Sequence, residues 1–237
     1  MKPHRFKLLS FSGIDGAGKS SQIEALLSEL EDCGHRFERY TFWDDVVAFS
    51  RYREHLSLRW FRGEKGVGRP DRPIARRDKN VTSWYMVLVR LFLYALDSFH
   101  LSAVLGRAGK DCDFVVFDRY IYDELANLPL AYRAVRAYVR LLVRITPKPD
   151  VAFLLDARPE DAVSRKPEYP LEFVHRNRDA CLSMAKIAGM SVLPPASIAE
   201  TTQSIRAALA TLNRRAESEA LSGPHALPAS RAKTPGG

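Results

Sequence analysis

The chain has 237 residues, 46% of them hydrophobic and 27% charged, the balance of a soluble globular protein large enough for one α/β domain with a sizeable core. Cys33, Cys112 and Cys181 are scattered and form no C-x-x-C pair, which argues against a disulfide framework or zinc site and for the reduced thiols of the cytoplasm. The net charge of +8 is concentrated: residues 51–80 carry ten basic side chains against four acidic ones.

The start, MKPHRFKLLSFSG, has too short an apolar run for a signal peptide, and Phe6–Phe11 reads as a buried strand. It leads into Gly13-Ile14-Asp15-Gly16-Ala17-Gly18-Lys19-Ser20, which matches G-x-x-x-x-G-K-[ST], the phosphate-cradling P-loop. The glycines let backbone N–H groups turn inward around an anion, Lys19 can reach β- and γ-phosphates, and the Ser20 hydroxyl can ligate Mg²⁺. Ser20–Leu30 is amphipathic at helical spacing, so the loop opens onto a helix N-terminus, which also favours phosphate. Strand, glycine loop and helix together predict a nucleoside triphosphate site, with Gly13, Asp15, Gly16, Ala17, Gly18, Lys19, Ser20 and Ser21 around ATP.

A second strand is expected at His35–Phe42, ending at Phe42-Trp43-Asp44-Asp45. Phe61–Asn80, rich in Gly, Pro and Arg, reads as a loop or insertion within the basic 51–80 segment. Such a charge run is ordinarily a solvated face, and its functional reading is attraction of an anionic substrate; nucleic acid is not the expected partner. Thr82 or Ser83 would cap the apolar stretch Trp84–Leu105, which is interrupted by Arg90, Asp97 and His100 and so predicts a buried helix, not a membrane span. Asp113–Phe117 is a third strand, closing on Asp118-Arg119-Tyr120. Helical pattern follows to Ile145 with a break near Pro129; Arg133, Arg136, Arg140 and Arg144 form a basic stripe along it, an exposed face or, less simply, a membrane-surface contact. Val151–Leu155 is a fourth strand. Pro159–Arg165 and Pro170–Ala188 are helical, Ser191–Leu193 is a short fifth strand, and Ile198–Ala216 is the closing helix.

Alternating strands and helices of this kind give a five-stranded parallel sheet with helices on both faces, an α/β P-loop fold. The expected organisation is one P-loop domain over 1–216 and a disordered tail over 217–237. Ligands of such a sheet sit beyond the carboxyl ends of its strands. There Asp118 can hold Mg²⁺ or its water shell, and Arg119 can neutralise a transferring or accepting phosphate.

In these residues the chain resembles the thymidylate kinase family of nucleoside monophosphate kinases. The resemblance runs from about Lys7 to Arg206 and rests on FSGIDGAGKSSQ, VVFDRYIYD and PKPDVAFLLDARPEDAVSR. It implies ATP and Mg²⁺ as cofactors, a nucleoside monophosphate such as dTMP as default acceptor, and in many members a homodimer through helices flanking the sheet. Carried over by position, Asp15 approaches the acceptor sugar and Arg119 its phosphate. Asp44, Arg90, Asp97 and Tyr120 complete the expected acceptor side, and Lys19, Asp118, Arg119 and Arg165 the catalytic set. The resemblance makes 1–216 a kinase domain with a lid at about 158–178. Gly16 occupies a position where one subgroup has an arginine; the other subgroup supplies that arginine from the lid, where Arg165, Arg176 and Arg178 are available here, Arg165 lying nearest Pro167.

The chain departs from the family at Ser12, where many members have a glutamate, and at Trp43-Asp44-Asp45, where an arginine-bearing motif is usual. Asp97 and Ser98 stand near a further expected arginine. Two alternatives therefore stay open: a kinase of a neutral hydroxyl (nucleoside, sugar or small metabolite) with Asp44 as general base, and a nucleotide-binding regulatory module with little turnover.

Overall fold

Five strands form one sheet, in the order Phe37–Thr41, Phe114–Asp118, Lys7–Ser12, Val151–Leu155 and Ser191–Leu193, every neighbouring pair parallel. The computed structural model describes residues 6–47, 84–108 and 112–221. The basic 51–80 segment, the expected cap at Thr82 or Ser83, and residues 222–237 of the tail lie outside them.

The strands are β1 (Lys7–Ser12), β2 (Phe37–Thr41), β3 (Phe114–Asp118), β4 (Val151–Leu155) and β5 (Ser191–Leu193). Because side chains alternate along a strand, a run apolar at every position serves two cores at once. Leu8, Val115 and Phe117 enter one core, with Leu101 and Leu105 from the long helix α2 (Trp84–Arg107) and Leu142 from α4 (Arg133–Ile145). Leu9, Phe11, Val116 and Phe153 enter the other, with Ile23 and Leu26 from α1 (Lys19–Asp32) and Ile205 from α7 (Ile198–Leu221). A third cluster joins Ile14 of the glycine loop to Ala162 of α5 (Pro159–Arg165) and to Phe173 and Val174 of α6 (Leu171–Ala188). The short α3 (Ile121–Leu125) follows β3. This arrangement puts β1 at the centre and the ends of β1, β2 and β3 side by side, since Asp118 is in register with both Phe11 and Thr41.

Two expectations are corrected. The long helix is buried on one side only: Tyr94, Leu101 and Leu105 are enclosed, whereas Leu88, Phe92 and Phe99 are 55%, 65% and 67% exposed. The polar residues that break its apolar run lie toward the protein. Asp97 is fully buried and His100 Nδ1 sits 2.5 Å from the Val46 carbonyl, so the outward face is left to apolar residues. By length and composition Val87–Arg107 is apolar enough to cross a bilayer. The closing helix also continues past the expected boundary at 216 to Leu221, because the sequence from Arg214 to Leu221 is rich in good helix formers.

Candidate active site

The glycine loop closes tightly on its neighbours. Gly13, Gly16 and Gly18 have φ of 142°, 84° and 88°. A Cβ on Gly13 would lie 2.5 Å from the Leu155 carbonyl oxygen, and one on Gly16 would lie 2.4 Å from that of Ala162 in α5. Both positions therefore require glycine on two grounds, conformation and space. At the head of α1, Lys19 is buried and donates to the carbonyls of Gly13 at 2.8 Å and Ile14 at 2.9 Å. Burial, and then repulsion from Arg119, bring its pKa down to about 8 against the opposing pull of Asp15, Asp123 and Asp118. Ser20 and Ser21 follow on the exposed side of the helix start.

Arg119 is the centre of the opposite wall. It has a φ of 67°, the left-handed region a non-glycine residue rarely adopts, and its N–H donates to the Phe11 carbonyl at 2.9 Å. Its Nη2 donates to Asp15 Oδ1, and its Nη1 is 3.8 Å from Asp123 Oδ1. Burial disfavours its charge, but Asp15, Asp123 and Asp118 outweigh that and hold it firmly protonated. Asp118 next to it pairs with Arg39 Nη2 at 3.1 Å.

Beyond β2 the chain makes a single π-helical turn, Phe42–Val46, in which Phe42 and Val46 are buried. Asp45 caps this turn by accepting the Thr41 N–H at 2.6 Å, which leaves Asp44 exposed at the strand end. Trp43 Nε1 donates to Glu124 Oε1 at 2.7 Å, and the Tyr94 hydroxyl donates to Glu124 Oε2 at 3.3 Å. Burial and the nearby Glu124 carboxylate raise the Tyr94 pKa, so that hydroxyl stays protonated. Arg90 lies close enough to Tyr94 to act on it electrostatically.

The helices α5 and α6 separate the three candidate arginines. Arg165 Nη1 donates to the Gly16 carbonyl at 2.9 Å, which places it at the glycine loop. Arg178 is held in a bidentate pair with Asp156 at 2.6 and 2.7 Å. Arg176 forms an exposed pair with Glu172 at 3.8 Å. Of the three, Arg165 meets the loop.

Two assigned acceptor residues are placed otherwise. Tyr120 is fully buried, its hydroxyl donating to the Pro147 carbonyl at 2.6 Å and its ring packed on Phe117 and Tyr122. The left-handed turn at Arg119 sends the two neighbouring side chains in different directions, so Tyr120 belongs to the core. Asp97 is fully buried. Conversely, Arg39, Asp123 and Glu124 belong to the site without having been singled out from the sequence. Asp123 had a local signal: an acidic residue three positions after the residue preceding a helix commonly accepts that residue's N–H, as it does here from Tyr120 at 3.1 Å.

Among the described residues no group of three or more His, Cys, Asp or Glu could hold a metal ion. Mg²⁺ that arrives with a nucleotide takes one or two protein oxygen ligands beside phosphate oxygens and waters, and the Ser20 hydroxyl and the Asp118 carboxylate are donors of that kind.

A parallel sheet ordered 2-3-1-4-5, a P-loop between β1 and α1, and the short α5 packed against that loop fit the P-loop nucleoside monophosphate kinase-like fold. No protein-family model matches the chain. A curated thymidylate kinase from Chlorobaculum parvum is 28% identical over 169 residues, which cover 67% of this chain and 65% of that protein, just under two thirds of the relative's length. Among solved structures, thymidylate kinase from Candida albicans superposes with a TM-score of 0.59 at 17% identity, covering 88% of this chain and 93% of that one. Thymidylate kinase from Ehrlichia chaffeensis does so with 0.53 at 18%, covering 86% and 98%. In fold and sequence, the chain is thymidylate kinase-like.

Proposed function

We propose that the chain is a phosphotransferase that moves the γ-phosphoryl group of ATP to a nucleoside monophosphate such as dTMP. One observation carries the reading: Lys19, Arg119 and Arg165 come from three separate elements to one end of the sheet, around the glycine loop. Phosphoryl transfer asks for little more than positioning and charge stabilisation, and three cations arranged about one phosphate site supply both.

In this reading the N–H groups of Gly13–Ser20 receive the β-phosphate. Lys19 exchanges its two carbonyl acceptors for γ-phosphate oxygens and follows their charge into the transition state. Arg119 holds the acceptor phosphate, exchanging part of its pairing with Asp15, whose carboxylate then turns to the acceptor sugar. Arg165 closes over the γ-phosphate from the lid. Ser20 and Asp118 would hold Mg²⁺, which when bound neutralises the phosphate oxygens. The exposed apolar face of α2 supports a homodimer, since Leu88, Phe92 and Phe99 form a stripe that a second copy would cover.

The test is a coupled ADP-release assay over nucleoside monophosphates, nucleosides and sugars. Turnover with dTMP or a related monophosphate supports the reading; turnover with a neutral hydroxyl alone moves it to the second one. That second reading has its own observation: Arg119 already faces two carboxylates, and Asp44 stands exposed at the end of β2, where it could act as general base. Asp44→Asn separates the two. It leaves monophosphate turnover unchanged or improves acceptor binding, because a carboxylate about 4 Å from a phosphate dianion repels it by several kcal/mol at an effective dielectric near 20. With Asp44 as base for a neutral hydroxyl, the same change lowers turnover by roughly 10²–10⁴.

A further inference from the structure

We infer that Asp123 is a positioning residue whose carboxylate fastens the first residues of the glycine loop to the Arg119 turn, so that the phosphate cradle and the acceptor-side arginine form one rigid piece. The inference rests on the phosphotransferase reading for its kinetic consequence, not for its geometry. Asp123 is almost wholly enclosed, its side chain 7% exposed. Its Oδ2 accepts the Ser12 hydroxyl at 2.6 Å and the Tyr120 N–H at 3.1 Å. Its Oδ1 lies 3.4 Å from the Gly13 N, as acceptor, and 3.8 Å from Arg119 Nη1. Each oxygen thus joins a group from the β1–loop side to one from the β3–α3 side.

Arg119 needs such a fastening. Its left-handed backbone persists only where the surroundings over-determine it, and Asp123 grips the peptide that follows it as well as the guanidinium at its far end. Asp15 also pairs with Arg119, but it belongs to the loop that receives the nucleotide and is more open, 20% against 7% exposed. It can be drawn away by a ligand, whereas Asp123 is enclosed and held by Ser12 and the Tyr120 N–H. Ser12 matters for the same reason. A short hydroxyl at the end of β1 leaves room for a carboxylate supplied from α3.

The experiment compares Asp123→Ser, Asp123→Asn and the reciprocal exchange S12D/D123S with the wild type, measuring kcat, the KM for dTMP, the Kd for ATP and the melting temperature. The expected result for Asp123→Ser is a loss in kcat/KM for dTMP of between about ten- and a hundredfold, with the Kd for ATP within about threefold. Asp123→Asn should fall between, and the exchange should recover most of the loss. Kinetics of Asp123→Ser within twofold of wild type would overturn the inference, as would an exchange variant that regains the melting temperature but none of the acceptor use. A crystal structure of Asp123→Ser, or of Asp123→Asn should the serine variant not fold, gives a readout free of catalysis: Arg119 should leave its left-handed backbone or its turn should shift from the glycine loop, and an unmoved turn overturns the inference. If the wild type phosphorylates no acceptor, the phosphotransferase reading fails and the crystallographic arm decides Asp123 by itself.

Discussion

Lys19 carries the sharpest expectations at the scale of single residues. Its ammonium is held by two loop carbonyls and stands ready for a phosphate, so Lys19→Met should lower turnover by at least about a hundredfold while circular dichroism shows the fold intact. Its pKa of about 8 adds a second prediction. In the unfolded chain a lysine titrates near 10.4. Between pH 8 and about 10.4 the unfolded state therefore holds more protons at this position than the folded one, and Lys19 alone makes the ligand-free protein more stable as pH rises through that window. A bound triphosphate reverses the balance by favouring the charged ammonium. ATP binding at about pH 8.5 should take up a proton, and at pH 6.5 it should not; calorimetry in buffers of different ionisation enthalpy reads the difference. Arg119, by contrast, stays charged throughout, so Arg119→Ala should raise the KM for the acceptor while the Kd for ATP holds. Loss of ATP affinity alone would mean that Arg119 serves the other substrate.

At the scale of elements, the contact between the glycine loop and α5 is the one to test. Gly16 combines a φ of 84° with a missing Cβ that would meet the Ala162 carbonyl oxygen at 2.4 Å. Gly16→Ala should lower the melting temperature by at least about 4 °C and weaken ATP binding, because either the loop or α5 must give way. Gly34, which has open space around it, is the matched control: Gly34→Ala carries the positive-φ cost without the clash. Legibility also divides at this scale. β4, β5 and α5 stand where apolar runs and Pro punctuation put them. The P-loop could be read residue by residue because its chemistry dictates its spacing. The turn Phe42–Val46 could not: a π-helical turn has no sequence period of its own, and its cap, Asp45, looks like any surface acid. Tyr120 shows the same limit. Whether the residue after Arg119 faces ligand or core depends on one backbone angle, which nothing in D-R-Y announces.

At the scale of the whole molecule, α2 turns an apolar face outward. With Leu88, Phe92 and Phe99 all more than half exposed, a second copy seated on this face should be lost when the face is made acidic. Sedimentation velocity should find the wild type dimeric and F92E/F99E monomeric at the same concentration; a monomeric wild type removes the dimer. The packing of α5 on the glycine loop has a consequence of another kind, for the paths along which this sequence can change. One subgroup of the family it resembles has an arginine at the position of Gly16, whereas here Arg165 of α5 donates to the Gly16 carbonyl and, in the proposed reading, supplies that charge. A direct Gly16→Arg step would meet both an unfavourable backbone angle and the carbonyl of Ala162. The intermediate is worse than either end, so the two ways of supplying one charge are separated by a valley that no single substitution crosses. A lineage that moved the arginine into the loop would first have to draw α5 back, giving up Arg165 before its replacement arrived.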